Sequence, residues 1–337
     1  MTMNSIGDQA RAYVMQSATN RLKTTMTTLT QEVASGEVAD LGQRLQGNTR
    51  ALNQIEGRIS QTTQLQGNAK EVGIQLQAMQ DIFAGVRSVT NDLGINLISD
   101  PFAGTTTQLG TRATGVSNAF DTVIQRLNGM DSNRYLLSGL ASNQQPLSDS
   151  AQILDALQGV TAGMTTAAEI STAIAAWFDA PEGSGGFLDV AYHGTTGAGQ
   201  SIPVGDRQSV QITTSAASPA VRDVLKGLAT AAILDRGTLA GQPEEQNALL
   251  RQSGHALVAA DAALLGEMGR VGLTQQAVAR AETSNAAALS TLEISRNDIR
   301  SADPYETATA LTEVESQLEA LFAVTARLSR LNLVDYL

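Results

Sequence analysis

The amino-acid sequence predicts a mainly α fold: an elongated antiparallel coiled-coil or helical-bundle rod built from both chain ends, with a small α+β insert domain facing outward. Three observations carry this prediction. Apolar residues recur at alternating steps of three and four through several long stretches, the mean spacing of a coiled-coil seam. Proline is absent between Asp40 and Pro101 and again between Pro243 and Pro304, so each reach can hold a helix on the order of 85 Å long at ~1.5 Å per residue. Between residues 141 and 240 this period gives way to Gly-rich turns and short alternating runs, the pattern of strands and loops. The chain therefore divides into terminal coiled-coil assembly segments at 1–39 and 301–337, a helical rod at 40–140 and 241–300, and the α+β insert at 141–240.

Composition agrees with long, thin packing. Of 337 residues only 4% are aromatic, and Trp177 is the single tryptophan. The net charge of -11, with Lys23, Lys70 and Lys226 as the lysines, argues against a nucleic-acid partner, whose phosphates require clustered Lys and Arg. Cysteine is absent, which removes disulfides, thiolate catalysis and cysteine metal sites together. Met1 to Asn20 shows no basic start followed by an apolar run and no small-residue cleavage site. No apolar stretch approaches the roughly 20 residues of a membrane helix, so the sequence predicts a soluble chain with no membrane partner.

The elements follow in order. Ile6 to Val33 reads as a helix with a weak stripe of Met15, Ala18, Leu22, Thr25, Leu29 and Val33, ending at Ser35-Gly36. Asp40 with Gln43 reads as a cap opening one helix that runs to Pro101. Its seam is Leu41, Leu45, Asn48, Leu52, Ile55, Ile59 and Thr62, then, after a phase slip, Leu65, Ala69, Val72, Leu76, Met79, Phe83, Val86, Thr90, Leu93 and Leu97. Leu109, Ala113, Val116, Phe120, Val123 and Leu127 repeat it, and Asn128-Gly129 stops it. In the insert, Ile153, Leu154 and Leu157 predict a short helix, and Thr166 with Glu169 caps another through Trp177. Leu188, Val190 and Tyr192 alternate as in a strand, as do Ile202 with Val204 and Val210 with Ile212; a hairpin and a three-stranded meander both fit. Ser218-Pro219 opens a closing helix, and Pro243 opens the last long one, with Leu264, Met268, Val271, Val278, Asn285, Leu289, Leu292 and Ile299 in phase.

The final helix starts where Asp303 caps, Pro304 takes the first helical position and Glu306 stands three residues after the cap. Leu311, Val314, Leu318, Leu321, Thr325 and Leu328 form its seam, with Phe322, Leu331 and Leu333 just beside it. A lone amphipathic helix of this length is marginal in water. The candidate assembly interface is therefore Leu311, Val314, Leu318, Leu321, Phe322, Leu328 and Leu331 with Leu22 and Leu29 of the first helix, and the terminal segments are expected to order mainly upon assembly.

Chemistry-bearing motifs are missing. There is no Gly-x-Ser-x-Gly elbow, Walker-type loop, Rossmann fingerprint after a strand or His-Glu-x-x-His pair. His193 beside a hairpin and His255 in a helix read as surface or structural residues, since no acid cluster accompanies them. Gly194 to Gly199 lacks the lysine and following helix of a phosphate loop and reads as a turn. The sequence predicts no enzyme, no cofactor and no metal site.

The wording of the C-terminal segment adds a resemblance. Tyr305-Glu306-Thr307-Ala308-Thr309-Ala310-Leu311, Gln317-Leu318-Glu319, Val324 to Ser329 and the closing Leu331 to Leu337 resemble the C-terminus of the hook-associated protein 3 family, relatives of bacterial flagellin that join hook to filament. Arg134-Tyr135-Leu136-Leu137-Ser138-Gly139 resembles a second family signature. The likeness extends through Glu282 to Asn285 and Glu293 to Asp298 and is looser at the N-terminus, where Ser35-Gly36 is followed by Glu37-Val38-Ala39-Asp40-Leu41 in place of the family's Asp-rich stretch. The resemblance implies type III export with a cytoplasmic chaperone on the C-terminal helix. It implies a ring of copies between hook-associated protein 1 and flagellin, outside the cell in the flagellum. A minor flagellin and an intracellular coiled-coil scaffold are the alternative readings.

Overall fold

The computed structural model describes residues 6–99, 106–197 and 199–334, and it is mainly α, with long helices and two small two-stranded sheets. The helices are α1 (Ile6–Ser35), α2 (Leu41–Arg44), α3 (Arg50–Ser99), α4 (Thr106–Leu127), α5 (Ser150–Val160), α6 (Ala167–Asp179), α7 (Phe187–Val190), α8 (Pro219–Ala232), α9 (Pro243–Arg300) and α10 (Pro304–Val334). A hairpin of β1 (Met130–Asp131) and β2 (Arg134–Tyr135) follows α4; β3 (Gln200–Gly205) and β4 (Gln208–Ile212) form a second. The expected stop at Pro101 lies outside the described residues. The chain forms two compact units, Thr62–Ala286 and Met1–Gln61 with Ala287–Leu337.

In the larger unit the seam residues become a core. Ala69, Val72, Leu76, Met79, Phe83, Val86 and Leu97 of α3 are buried with Leu109, Ala113, Val116, Phe120, Val123 and Leu127 of α4 and Leu264, Val271 and Val278 of α9. The period of 3.5 thus selects the faces that leave water, and each buried Leu, Met or Phe adds about 1.5–3 kcal/mol of transfer free energy. The α3 and α9 helices run antiparallel: Arg87 pairs with Asp261 at 2.6 Å, Gln80 Nε2 donates to Met268 O at 2.7 Å, and Gln275 Nε2 donates to Gln77 Oε1 at 3.2 Å. At one close approach of the two the facing residues are glycines, Gly94 and Gly254. A Cβ on Gly254 would lie 2.9 Å from both Gly94 O and Leu97 Cβ, and the neighbouring Ser253 Oγ donates to Gly227 O of α8 at 2.7 Å.

The insert folds as capping and alternation predict, with one correction. Thr166 and Glu169 form a capping box at the start of α6, and Ile202 to Val210 pair in the β3–β4 hairpin; no third strand joins it among the described residues. The expected strand at Leu188, Val190 and Tyr192 is instead the helical turn α7, and Val190 is exposed. The cause is local. Asp189 accepts from Gly183 N at 2.8 Å and Gly185 N at 2.7 Å, folding the glycine loop back on the turn. That fold drives Phe187 into a ring cluster, 5.2 Å from Phe178 and 6.1 Å from Trp177. Tyr192 is buried and meets Leu147 in an isolated bridge. Ser218 stands at the start of α8 without a side-chain cap bond, so Pro219 at the first turn sets that start instead.

In the smaller unit the expected unbroken helix from Asp40 is split. Asp40 Oδ1 accepts from Gln43 N at 2.9 Å, but the helix it caps ends after one turn. Gly47 N donates to Gly42 O and Gln46 N to Gln43 O, the paired bonds of a Schellman end, with Gln46 and Gly47 both left-handed at φ 50° and 79°. Helix α3 restarts at Arg50, so Leu41, Leu45 and Asn48 fall outside it.

Gly254→Ala is expected to cost on the order of 1–3 kcal/mol by overpacking in thermal or urea unfolding of the full chain. Gly266→Ala, where a Cβ meets open space, is expected to leave stability unchanged or slightly higher. Asp189 is held below the usual carboxylate range by its backbone donors, Gly183 first. A depressed folded pKa stabilises the loop above the unfolded value and is lost as pH falls through the folded one. Asp189→Asn is therefore expected to open Gly183–Gly186 to limited proteolysis at neutral pH, and the native chain to do so only in acid; equal resistance of both at neutral pH would refute this.

Candidate assembly surface

The smaller unit joins the two ends of the chain. Gly36 ends α1 with a left-handed φ of 70°, a conformation glycine adopts without a Cβ penalty. Gly36 O then accepts from Ala302 N at 2.9 Å, Val38 N donates to Arg300 O at 2.8 Å, and Glu37 bridges Ser301 antiparallel. Arg44 donates to Ser301 O at 2.6 Å, and Arg300 pairs with Glu37 at 2.9 Å. Exposed ion pairs contribute about 0–1 kcal/mol, so the backbone bonds fix this junction.

Beyond it, α10 opens on Asp303, whose Oδ1 accepts from Tyr305 N at 2.9 Å and Glu306 N at 3.1 Å, with Pro304 as the first helical residue. The helix returns antiparallel along α1: Thr325 Oγ1 lies 3.9 Å from Met15 S, and Lys23 Nζ stands 6.0 Å over the Phe322 ring. Val314 and Leu318 are buried, Leu311 and Leu321 half-buried, as are Leu22 and Leu29 of α1. Phe322 is 51% exposed. The side chains of Leu328 and Leu331 lie outside the described residues. On α1, Val33 and Thr25 of the expected stripe are exposed, and Met26 is half-buried beside Leu22 and Leu29.

Burial separates the two units. In the smaller one the buried apolar residues among those described are Leu52, Leu292, Val314 and Leu318, none below 7% exposure. In the larger unit Phe83, Phe120, Phe178 and many others are at 0%. A pair of helices has one interior line, so the remaining apolar side chains stay outside. Tyr13 is 74% exposed and Val14 65%, and Val324 is also exposed. Sequence reasoning missed Tyr13, Val14 and Val324 because they stand off the heptad seam; their signal is aromatic or β-branched character on an otherwise Ser/Thr-rich helix surface.

Among the described residues no three His, Cys, Asp or Glu side chains cluster as a metal site, and no helix is long and apolar enough to cross a membrane. His193 Nε2 lies 2.8 Å from Ser148 Oγ. Around them Ser148 N donates to Ala191 O and His193 N to Pro146 O, so the pair brackets the Leu147–Tyr192 bridge and ties two insert loops together.

These features define a mainly α chain whose two ends pair in a thin helical layer with uncovered apolar faces. No protein-family model and no curated protein sequence matches the chain. Among solved structures it is similar to a "putative flagellar hook-associated protein from Vibrio parahaemolyticus", at 14% identity over 76% of this chain and 94% of that one, with a TM-score of 0.42.

Because Leu318 occupies the interior line, Leu318→Asp is expected to separate α10 from α1, raising protease sensitivity after residue 303. Thermal unfolding of the larger unit, whose core runs from Ala69 to Ala281, is expected to stay within ~0.5 kcal/mol of the native value, as for distant sites. Loss of cooperative unfolding in that variant would contradict the division of the core.

Proposed function

We propose that this chain is a structural subunit of the bacterial flagellum, an adaptor at the hook-filament junction. The observation that carries the reading is the α1–α10 layer, which joins the chain's ends and leaves Tyr13, Val14 and Phe322 in water. A layer with so little interior gains most from further helices, and copies of the same layer supply them with the same pattern. The C-terminal wording, from Tyr305 to Leu311 and from Val324 to Ser329, resembles the hook-associated protein 3 family and supplies the biological setting.

In this reading the protein crosses the type III export channel unfolded, with a chaperone guarding the C-terminal helix. Outside the cell its terminal helices order fully against those of neighbouring copies, forming a ring between hook-associated protein 1 and flagellin. The interface is Leu311, Val314, Leu318, Leu321, Phe322, Leu328 and Leu331 of α10 with Leu22 and Leu29 of α1. The role is mechanical, and no reaction is assigned to it.

Deleting the gene in its own bacterium is expected to leave hooks without filaments and to release unpolymerised flagellin into the medium. Normal filaments in the deletion strain would overturn the proposal. Shorter or fewer filaments, with no flagellin released, would point to a minor filament subunit instead.

A further inference from the structure

The outer face of α3, within the larger unit, carries an open groove of about 550 Å³. Lys70 stands at one end and Asp81 at the other, with Gly73, Ile74 and Ala78 between them and Glu282 of α9 along one side. Ile74 is 62% exposed there. An isolated exposed apolar residue needs no explanation, but this one has unusual company. Gly73 and Ala78 flank it with almost no side chain; a Cβ on Gly73 would stand 3.7 Å from Glu282 Oε1 and 3.8 Å from Val278 on the α9 side, and Ala78 packs against the core, so both lie at the edges of the groove. Lys70 and Asp81 are about three helical turns apart, roughly 16 Å, and so share one face.

We propose that this face binds the same face of a second copy of the chain, antiparallel, about a two-fold axis passing between positions 75 and 76. Under that symmetry each Lys70 meets the partner copy's Asp81, and the reciprocal pair forms at the other end. Each Ile74 falls opposite the partner copy's Gln77, beside the place where Gly73 and Ala78 face one another. One turn and more beyond, Gly67 faces Ala84, again two small residues; a Cβ on Gly67 would meet open space, and Ala84 is exposed. The Lys70 and Asp81 charges are thus self-complementary in the antiparallel sense, as an isologous contact requires, with Glu282 of each copy at the margin of the contact. Parallel pairing in register would set Lys70 against Lys70 and Asp81 against Asp81, and like charges placed together repel. Gln77 Nε2 donates to Asp81 Oδ1 at 2.9 Å, fixing that carboxylate on the contact face.

This contact is independent of the terminal helices and of the function proposed above. The test is sedimentation of the full chain across protein concentration at low salt. The native chain is expected to form dimers that weaken as salt rises. Lys70→Glu and Asp81→Lys are each expected to weaken the dimer at least tenfold, and Lys70→Glu combined with Asp81→Lys to restore it to within about threefold. Because the chain has no cysteine, Gln77→Cys provides one thiol near the axis, and a short bismaleimide is expected to trap a covalent dimer. The same cross-link in Gln77→Cys combined with Leu318→Asp separates this contact from association through α1 and α10. A chain that stays monomeric at every concentration would overturn the proposal. So would an oligomer whose strength is unchanged by Lys70→Glu, or one that position 77 cannot cross-link.

Discussion

A pair of helices can close over a single line of side chains, and that geometric limit governs the smaller unit. Val314 and Leu318 fill the line between α1 and α10, with Leu22 and Leu29 at its margin. Apolar residues off that line, among them Tyr13, Val14, Phe322 and Val324, face water. In the larger unit the same heptad spacing meets several neighbours at once, so Phe83, Phe120 and Leu127 lose their whole surface. One sequence period therefore gives two different outcomes, decided by how many elements surround each helix.

Close approach in the larger unit depends on absent side chains as much as on present ones. Gly94, Gly227 and Gly254 let α3, α8 and α9 meet near backbone contact, and Ser253 uses the proximity to reach Gly227 O. Glycine weakens a helix by up to about 1 kcal/mol, so these positions trade local helix stability for packing. Buried polar groups add register. Buried Asn285 donates from Nδ2 to Val204 O at 2.8 Å, and at the surface Asn68 Nδ2 donates to Pro203 O at 3.1 Å, so the β3 edge is bonded to both long helices. Glu267, almost wholly buried, accepts from Thr214 Oγ1 at 2.6 Å and pairs with Arg270, holding the segment that leaves β4 against α9. An amide or carboxylate left unpaired at the depth of Asn285 or Glu267 would cost several kcal/mol, so these two specify one alignment of insert on helix.

The helices and caps of the chain were legible in its sequence because their determinants lie within a few residues of one another. Thr166 with Glu169, Asp303 with Pro304, and the Leu/Val steps of α3, α4 and α9 are local facts, and the structure uses each of them. On the last helix the seam of Leu311, Val314, Leu318 and Leu321 contains the buried Val314 and Leu318, and Phe322, read as standing just beside the seam, stays half in water under Lys23. What only the folded chain decided were the exceptions, backbone conformations that apolar spacing does not record. The Schellman end at Gln46-Gly47 outweighed the heptad reading from Leu41, and Asp189 capturing two glycine amides turned an alternating Leu188–Tyr192 into a helical turn. In both places a few specific backbone hydrogen bonds overrode periodicity, because a period states only which side of a segment is apolar, whereas the partners that segment meets determine its shape.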